Sequence, residues 1–215
     1  MPVPVHTRVH LLRHGEVFNP DTILYGRLPG FLLSELGHRM AAMVADSLEG
    51  HDITHLVSSP LERAQQTAQP LLDRTGLELV LDERVIEAEN RFEGRPVAGG
   101  RNLLRLSNLP LAVNPFRPSW GEPYTEIRDR MIPAVHAARD AARGHEAVIV
   151  SHQLPIWTTR LSAEGRRLWH DPRRRECTLA SLTTLSFAED GTLAGVDYTE
   201  PAASLLPLAS KVAGA

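Results

Sequence analysis

Short apolar runs alternate with longer amphipathic stretches through the amino-terminal part of the chain. Val9 to Leu12 is a compact apolar run that follows Thr7 and Arg8 and stops at Gly15, the pattern of a buried strand. After a loop rich in Asn, Pro and Gly, the apolar positions Leu33, Leu36, Met40, Met43, Val44 and Leu48 trace a helical stripe. Ser34 is available as its cap and Gly50 lies near its exit. Ile53 to Ser58 reads as a second strand. It runs into Ser59-Pro60-Leu61-Glu62, which has the form of a capping box with Pro at the first helical position, and then into the stripe Leu61, Ala64, Ala68, Leu71, Leu72. Gly76 ends that helix, and Leu77 to Leu81 is a third short strand.

Further along, Ala147 to Ser151 (AVIVS) is the most apolar strand and is expected at the centre of a sheet. The helix before it spans roughly Pro123 to Arg143, with Pro133 expected to kink or divide it. A helix near Pro155 to Leu161 follows. Cys177 to Phe187 and Leu193 to Tyr198, separated by Glu189-Asp190-Gly191, suggest a terminal hairpin, and the tail from Pro201 is expected to be partly loose. Residues 90 to 121, with Gly99-Gly100, Pro110, Pro115 and Pro118, read as an insertion or lid. This order predicts an α/β fold: a three-layer α/β/α domain with a mostly parallel central sheet.

Composition narrows the classes. The chain has 215 residues, 42% hydrophobic and 23% charged, enough for one substantial core, so a single domain over residues 1–215 is expected. A formal charge of -3 argues against general nucleic-acid or polybasic membrane binding. Lys211 is the single lysine, which leaves 22 of the 23 basic side chains as arginine, so anion recognition falls to guanidinium groups. A single cysteine, Cys177, allows no internal disulfide, and no run approaches a membrane span. A cytoplasmic location is therefore expected.

Open α/β sheets bind ligands beyond the carboxyl ends of their strands. There the chain places Arg13-His14-Gly15-Glu16 after strand one, Arg63 in the first turn after strand two, Glu87 and Glu89 after strand three, and His152 after AVIVS. Two imidazoles, two guanidiniums and a carboxyl at one edge suit phosphoryl transfer. A neutral imidazole is a competent nucleophile, fixed cations hold the spread charge of the transferring group, and one carboxyl can protonate the leaving oxygen and then deprotonate water. Arg13, Arg63 and a protonated His152 would form the cationic clamp. Arg63 adds an independent hint, because a cation in a first helical turn is disfavoured unless an anion binds there. The other histidines, including His10 and His51, lack metal-ligand spacing and read as structural or surface groups, and Arg173-Arg174-Arg175 reads as a solvated loop.

These segments resemble the histidine phosphatase superfamily, the phosphoglycerate-mutase-like group. Arg13-His14-Gly15-Glu16 is similar to its RHGE signature, Ser58 to Ala68 to its SSPLxRAxQTA segment, and Val150-Ser151-His152 to its late V-S-H. The resemblance implies a phosphoglycerate-mutase-like fold. It implies that His14 is phosphorylated, that Arg13, Arg63 and His152 hold the phosphoryl group, and that Glu87 is the proton donor and acceptor, with Glu89 as fallback. It places Asn19 and Arg27 at the substrate entrance and calls for no metal and no cofactor. Val17 stands where the family often has Ser or Thr, and Gln153 where it has Gly; with one lysine, any lysine contact of true mutases is missing. The expected activity is hydrolysis of small phosphate monoesters through a phosphohistidine. The alternatives are a phosphoglycerate-mutase-type phosphotransferase and a non-catalytic phospholigand-binding module. The expected partner is a small phosphorylated substrate, not nucleic acid or membrane, and a homodimer is compatible with the sequence.

Overall fold

The structure is a computed structural model, and it describes residues 5–96 and 121–210. Most of the segment read as a lid lies outside the described residues. Its roots are visible: Asn90 and Gly121 form an isolated antiparallel bridge, and Ile23 and Pro96 form another.

Six strands form one sheet: β1 (Thr7–Arg13), β2 (Ile53–Ser58), β3 (Leu79–Leu81), β4 (Glu146–Ser151), β5 (Leu182–Phe187) and β6 (Leu193–Thr199). The spatial order is β3-β2-β4-β1-β5-β6. The first four strands in this order are parallel, and the β5–β6 hairpin joins antiparallel to β1. The sheet is thus mostly parallel, with AVIVS flanked by β2 and β1 as its pattern requires.

Two helix pairs cover the faces. On one side lie α1 (Glu35–Ser47) and α2 (Glu62–Thr75), on the other α3 (Tyr124–Ala141) and α4 (Gln153–Ala163). β4 shows why the run is apolar throughout. Val148 and Val150 pack in the core beneath α1 and α2, while Ala147 and Ile149 pack in the core beneath α3 and α4. Every β4 residue is buried, so both faces need apolar side chains, each worth about 1.5–3 kcal/mol for Val or Ile.

Local chemistry sets the boundaries. Ser34 Oγ accepts from the Gly37 N–H at 3.0 Å and starts α1. Gly76 takes a left-handed φ of 67° and ends α2. Five expectations are corrected. Pro133 does not divide α3, which runs unbroken from Tyr124 to Ala141; Pro133 and Asp129, whose carbonyl loses its usual partner, are both exposed. β5 starts at Leu182, leaving Cys177 in the preceding loop, and β3 is confined to Leu79–Leu81. The tail docks through residue 210, with Ala202 and Leu205 buried and the Ser210 N–H on Glu16 Oε1 at 2.6 Å. The capping box does not form: α2 begins at Glu62 after Leu61, which makes no side-chain cap bond.

Candidate active site

The carboxyl ends of β1, β2 and β4 open onto one cluster. β1 delivers Arg13 and His14, β4 delivers His152, the start of α2 delivers Arg63, and the turn after β3 delivers Glu87. His14, Arg63, Glu87 and His152 are all buried. The His14 and His152 rings lie 5.1 Å apart between centroids.

A close backbone approach shapes the first loop. A β-carbon on Gly15 would lie 2.6 Å from the Gly37 carbonyl oxygen, and one on Gly37 would lie 2.0 Å from the Glu16 carbonyl oxygen. Only glycine fits either place, which seats the Gly15-Glu16 turn on the start of α1. The Gly15 N–H is bound by Thr67 Oγ1 at 3.1 Å, and Glu16 accepts from Ser34 Oγ. The motif's acid is therefore a structural tie, while its histidine faces the cluster.

The distinguishing feature is a set of buried polar atoms without hydrogen-bond partners among the described residues: Arg13 Nε, His14 Nε2, Arg63 Nε and Nη1, Glu87 Oε2 and His152 Nδ1. Buried polar atoms are almost always partnered, so a convergent group of unpartnered ones points to a ligand. The opposite side of each residue is secured. His14 Nδ1 lies 2.8 Å from the Gly15 carbonyl oxygen, which places its proton on Nδ1 and a lone pair on Nε2. Arg13 donates to the Cys177 carbonyl at 2.8 Å and Arg63 to the Gly26 carbonyl at 2.5 Å. Glu87 Oε1 accepts from the Ala88 N–H at 2.8 Å, and His152 Nε2 meets Ser59 Oγ at 2.8 Å.

The electrostatics follow from burial and two guanidiniums. Burial, reinforced by Arg63 and Arg13, holds His14 well below the ordinary histidine range, so its imidazole is neutral. The same causes, with His14 added, hold His152 well below that range. With no anion in the site, His152 is therefore held toward its neutral form. Burial raises the Glu87 carboxyl, against the pull of the Ala88 N–H, Arg63, Arg13 and Arg175. Burial likewise pushes the Cys177 thiol up to about 11, so that residue serves through its carbonyl.

The remaining candidates lie differently. Glu87 and Glu89 are distinguished by exposure: 3% for the Glu87 residue against 71% for the Glu89 side chain. Glu89 instead pairs with Arg27 at 3.0 Å. Arg27 also donates to the Glu87 carbonyl at 2.6 Å and to Glu122 at 3.0 Å, so its guanidinium braces the acid's loop. The Asn19 amide closes its own loop onto the backbone of Ile23, at 2.8 and 3.0 Å. Val17 is buried and bridges to Leu33. Gln153 donates to the Cys177 carbonyl at 3.2 Å and accepts from Arg175 at 3.3 Å.

Residues 9–196 match the sequence model of the histidine phosphatase superfamily (branch 1). The chain belongs to the histidine phosphatase superfamily. A relative in Mycobacterium tuberculosis (strain ATCC 25618 / H37Rv), Uncharacterized protein Rv0525, is 53% identical over 202 residues, covering 94% of this chain and 100% of the relative. Probable phosphoglycerate mutase GpmB of Yersinia pestis (strain Pestoides F) is 29% identical over 204 residues, covering 87% and 88%. The solved mycobacterial glucosyl-3-phosphoglycerate phosphatase Rv2419c superposes with a TM-score of 0.73 at 25% identity, covering 90% of this chain and 98% of that one. As a histidine phosphatase superfamily member the chain has an enzymatic family background, and its fold is that of its solved neighbours.

The sequence reading missed three supporting groups. Ser59 is bonded to His152, Tyr25 lies under the Arg63 guanidinium at 4.8 Å, and Arg175 lines the space beside Glu87. Ser59 stood in plain view, but a helix cap explained it equally well. Tyr25 carries no local signal, and Arg175 belongs to the run expected to be a solvated loop: Arg173 and Arg174 are exposed there, whereas Arg175 is partly buried beside Gln153.

Proposed function

We propose that the protein is a phosphatase of small phosphate monoesters that works through a phosphohistidine at His14. The observation that carries this reading is the unpartnered, neutral His14 Nε2 among the free nitrogens of Arg13 and Arg63 and the free oxygen of Glu87. His14 Nε2 attacks phosphorus while the bond to the leaving oxygen breaks, and protonated Glu87 gives its proton to that oxygen. The resulting carboxylate then takes a proton from water, the hydroxide attacks phosphorus and the P–N bond breaks. Phosphate leaves, and Glu87 is protonated again. Throughout, His14 keeps its Nδ1 proton on the Gly15 carbonyl, and the two guanidiniums face the spreading charge. An arriving phosphoryl group also supplies the negative charge that favours protonating His152, so the clamp is completed by the substrate itself.

A cavity of about 130 Å³ beside Glu87 supports a small leaving group. Leu24, Tyr124 and Leu154 give it apolar wall, and Arg175 is a cation within reach of an acidic substituent. The solved glucosyl-3-phosphoglycerate phosphatase makes phosphorylated sugar acids sensible first substrates.

The likeness to probable phosphoglycerate mutase GpmB favours one second reading, transfer of the phosphoryl group back to the substrate. Products decide between them. Purified protein offered phosphorylated sugars, phosphoglycerates, nucleotides and phosphopeptides is expected to release inorganic phosphate from the small monoesters. Interconversion of 2- and 3-phosphoglycerate without phosphate release would replace phosphatase by mutase, and binding without turnover of any substrate would leave a phospholigand-binding module.

A further inference from the structure

The opposite edge of the sheet holds a second cluster, outside the phosphoryl site. Glu146 opens β4, His10 lies in β1 and His51 lies in the loop between α1 and β2. His10 Nε2 is 2.8 Å and His51 Nδ1 is 2.6 Å from the same carboxylate atom, Glu146 Oε2. The three donor atoms all lie within 4.8 Å of one another. His10 and Glu146 are buried, and His51 is on the solvent side.

We propose that His10 Nε2, His51 Nδ1 and Glu146 Oε2 bind one Zn²⁺, with water in the fourth position on the exposed side. Two imidazoles and a carboxylate form a donor set suited to this borderline ion, and three protein ligands with one open position are an ordinary zinc arrangement. The surroundings match what zinc ligands require. His10 Nδ1 lies 2.8 Å from Thr184 Oγ1, and Arg8 donates to Glu146 Oε1 at 2.9 Å, so the atom of each facing away from the cluster is held by a partner. A half-buried ion pair needs Arg8 and Glu146 alone. Two histidines aimed at the remaining oxygen exceed that need.

Metal entry involves small changes. Without metal, His10 Nε2 and His51 Nδ1 donate to the Glu146 carboxylate; on metal binding those two protons leave these nitrogens, and each neutral imidazole holds its single proton on the nitrogen facing away, His10 Nδ1 toward Thr184 Oγ1 and His51 Nε2 toward solvent. Bonds of about 2.0–2.2 Å in a tetrahedron separate ligand atoms by roughly 3.3 Å, so the contacts of 2.8 and 2.6 Å on Glu146 Oε2 open by roughly 0.5–0.7 Å and the two imidazole nitrogens, within 4.8 Å of each other, settle to the same separation. His51, on a loop, provides the movement. The bound ion would clip the α1–β2 loop to two strands of the sheet.

The test uses full-length protein without a histidine tag, stripped with chelator. Titration with Zn²⁺ is expected to show one site and a raised melting temperature, and Co²⁺ in its place is expected to give the intense visible absorption of a tetrahedral site. His51→Gln changes a solvent-side residue and is expected to weaken Zn²⁺ binding at least about tenfold. It should also abolish the cobalt spectrum and leave phosphate-ester turnover unchanged. Glu146→Gln should give the same loss of metal. No Zn²⁺ binding by the wild type, or binding and spectrum undiminished in His51→Gln, would overturn the site.

Discussion

His10 and His14 lie four residues apart on the same strand and its exit, about 13 Å at strand rise, and both are buried. Their surroundings differ in one respect. Both nitrogens of His10 have partners, Thr184 and Glu146, whereas His14 has one nitrogen on the Gly15 carbonyl and the other unpartnered. The contrast extends to their neighbours: Arg8 at the amino edge is paired with Glu146, while Arg13 and Arg63 at the carboxyl edge keep nitrogens without partners. Burial alone therefore does not mark a reactive group. At one edge the polar atoms satisfy one another and hold strands together; at the other, neighbouring buried groups keep polar atoms without partners.

Breaking the carboxyl edge should produce the large losses. Glu87→Gln is expected to lower kcat on an alkyl phosphate about 10²–10⁴-fold, and much less on an aryl phosphate whose leaving group needs no proton. The same substitution tests the pH profile. Burial raises the Glu87 carboxyl, so its acid form is present below that raised value and disappears as pH rises through it. Neutral His14, held low, remains available on the acid side. The wild type should therefore have an acidic optimum with a falling alkaline limb, and Glu87→Gln should flatten that limb. A limb unchanged in the variant would move the proton-transfer role away from Glu87.

Next comes Arg63→Met, expected to cost about 10²–10³-fold in kcat/KM. Because this guanidinium is buried with two nitrogens unpartnered, the thermal midpoint should be no lower than in the wild type. A large destabilisation would show that Arg63 is held for the fold. Ser59→Ala removes the hydroxyl on His152 and should slow turnover about three- to tenfold. The smallest catalytic effect is expected at the amino edge. Glu146→Gln in metal-free protein should leave kcat unchanged and lower stability by about 1–3 kcal/mol, read by denaturant unfolding. Loss of activity without loss of stability there would erase the distinction between the two edges.

The pattern of strands and helices was legible because β4 and its neighbours are buried on both faces and the helices on one, which sets their periodicities directly. The site was legible as far as residues sit at strand ends: His14, Arg63 and His152 are placed by the elements they follow. Glu87 and Glu89 share a short charged stretch, and only folding turns one inward and the other to solvent. Ser59 satisfied the form of a capping box, yet its hydroxyl is used by His152 across the sheet. His10, His51 and Glu146 lie on three elements far apart in sequence, so their meeting on one carboxylate oxygen follows from parallel pairing of β1 with β4 and has no spacing signature.

The central claim is that the free nitrogen of His14 takes the phosphoryl group. Brief incubation with a ³²P-labelled monoester, rapid quenching at high pH and peptide mapping test it directly. Acid-labile, base-stable label is expected on His14; with an aryl monoester, whose leaving group needs no proton, it accumulates in Glu87→Gln, and it is absent in His14→Ala. Turnover without any such label, or undiminished hydrolysis by His14→Ala, would contradict it.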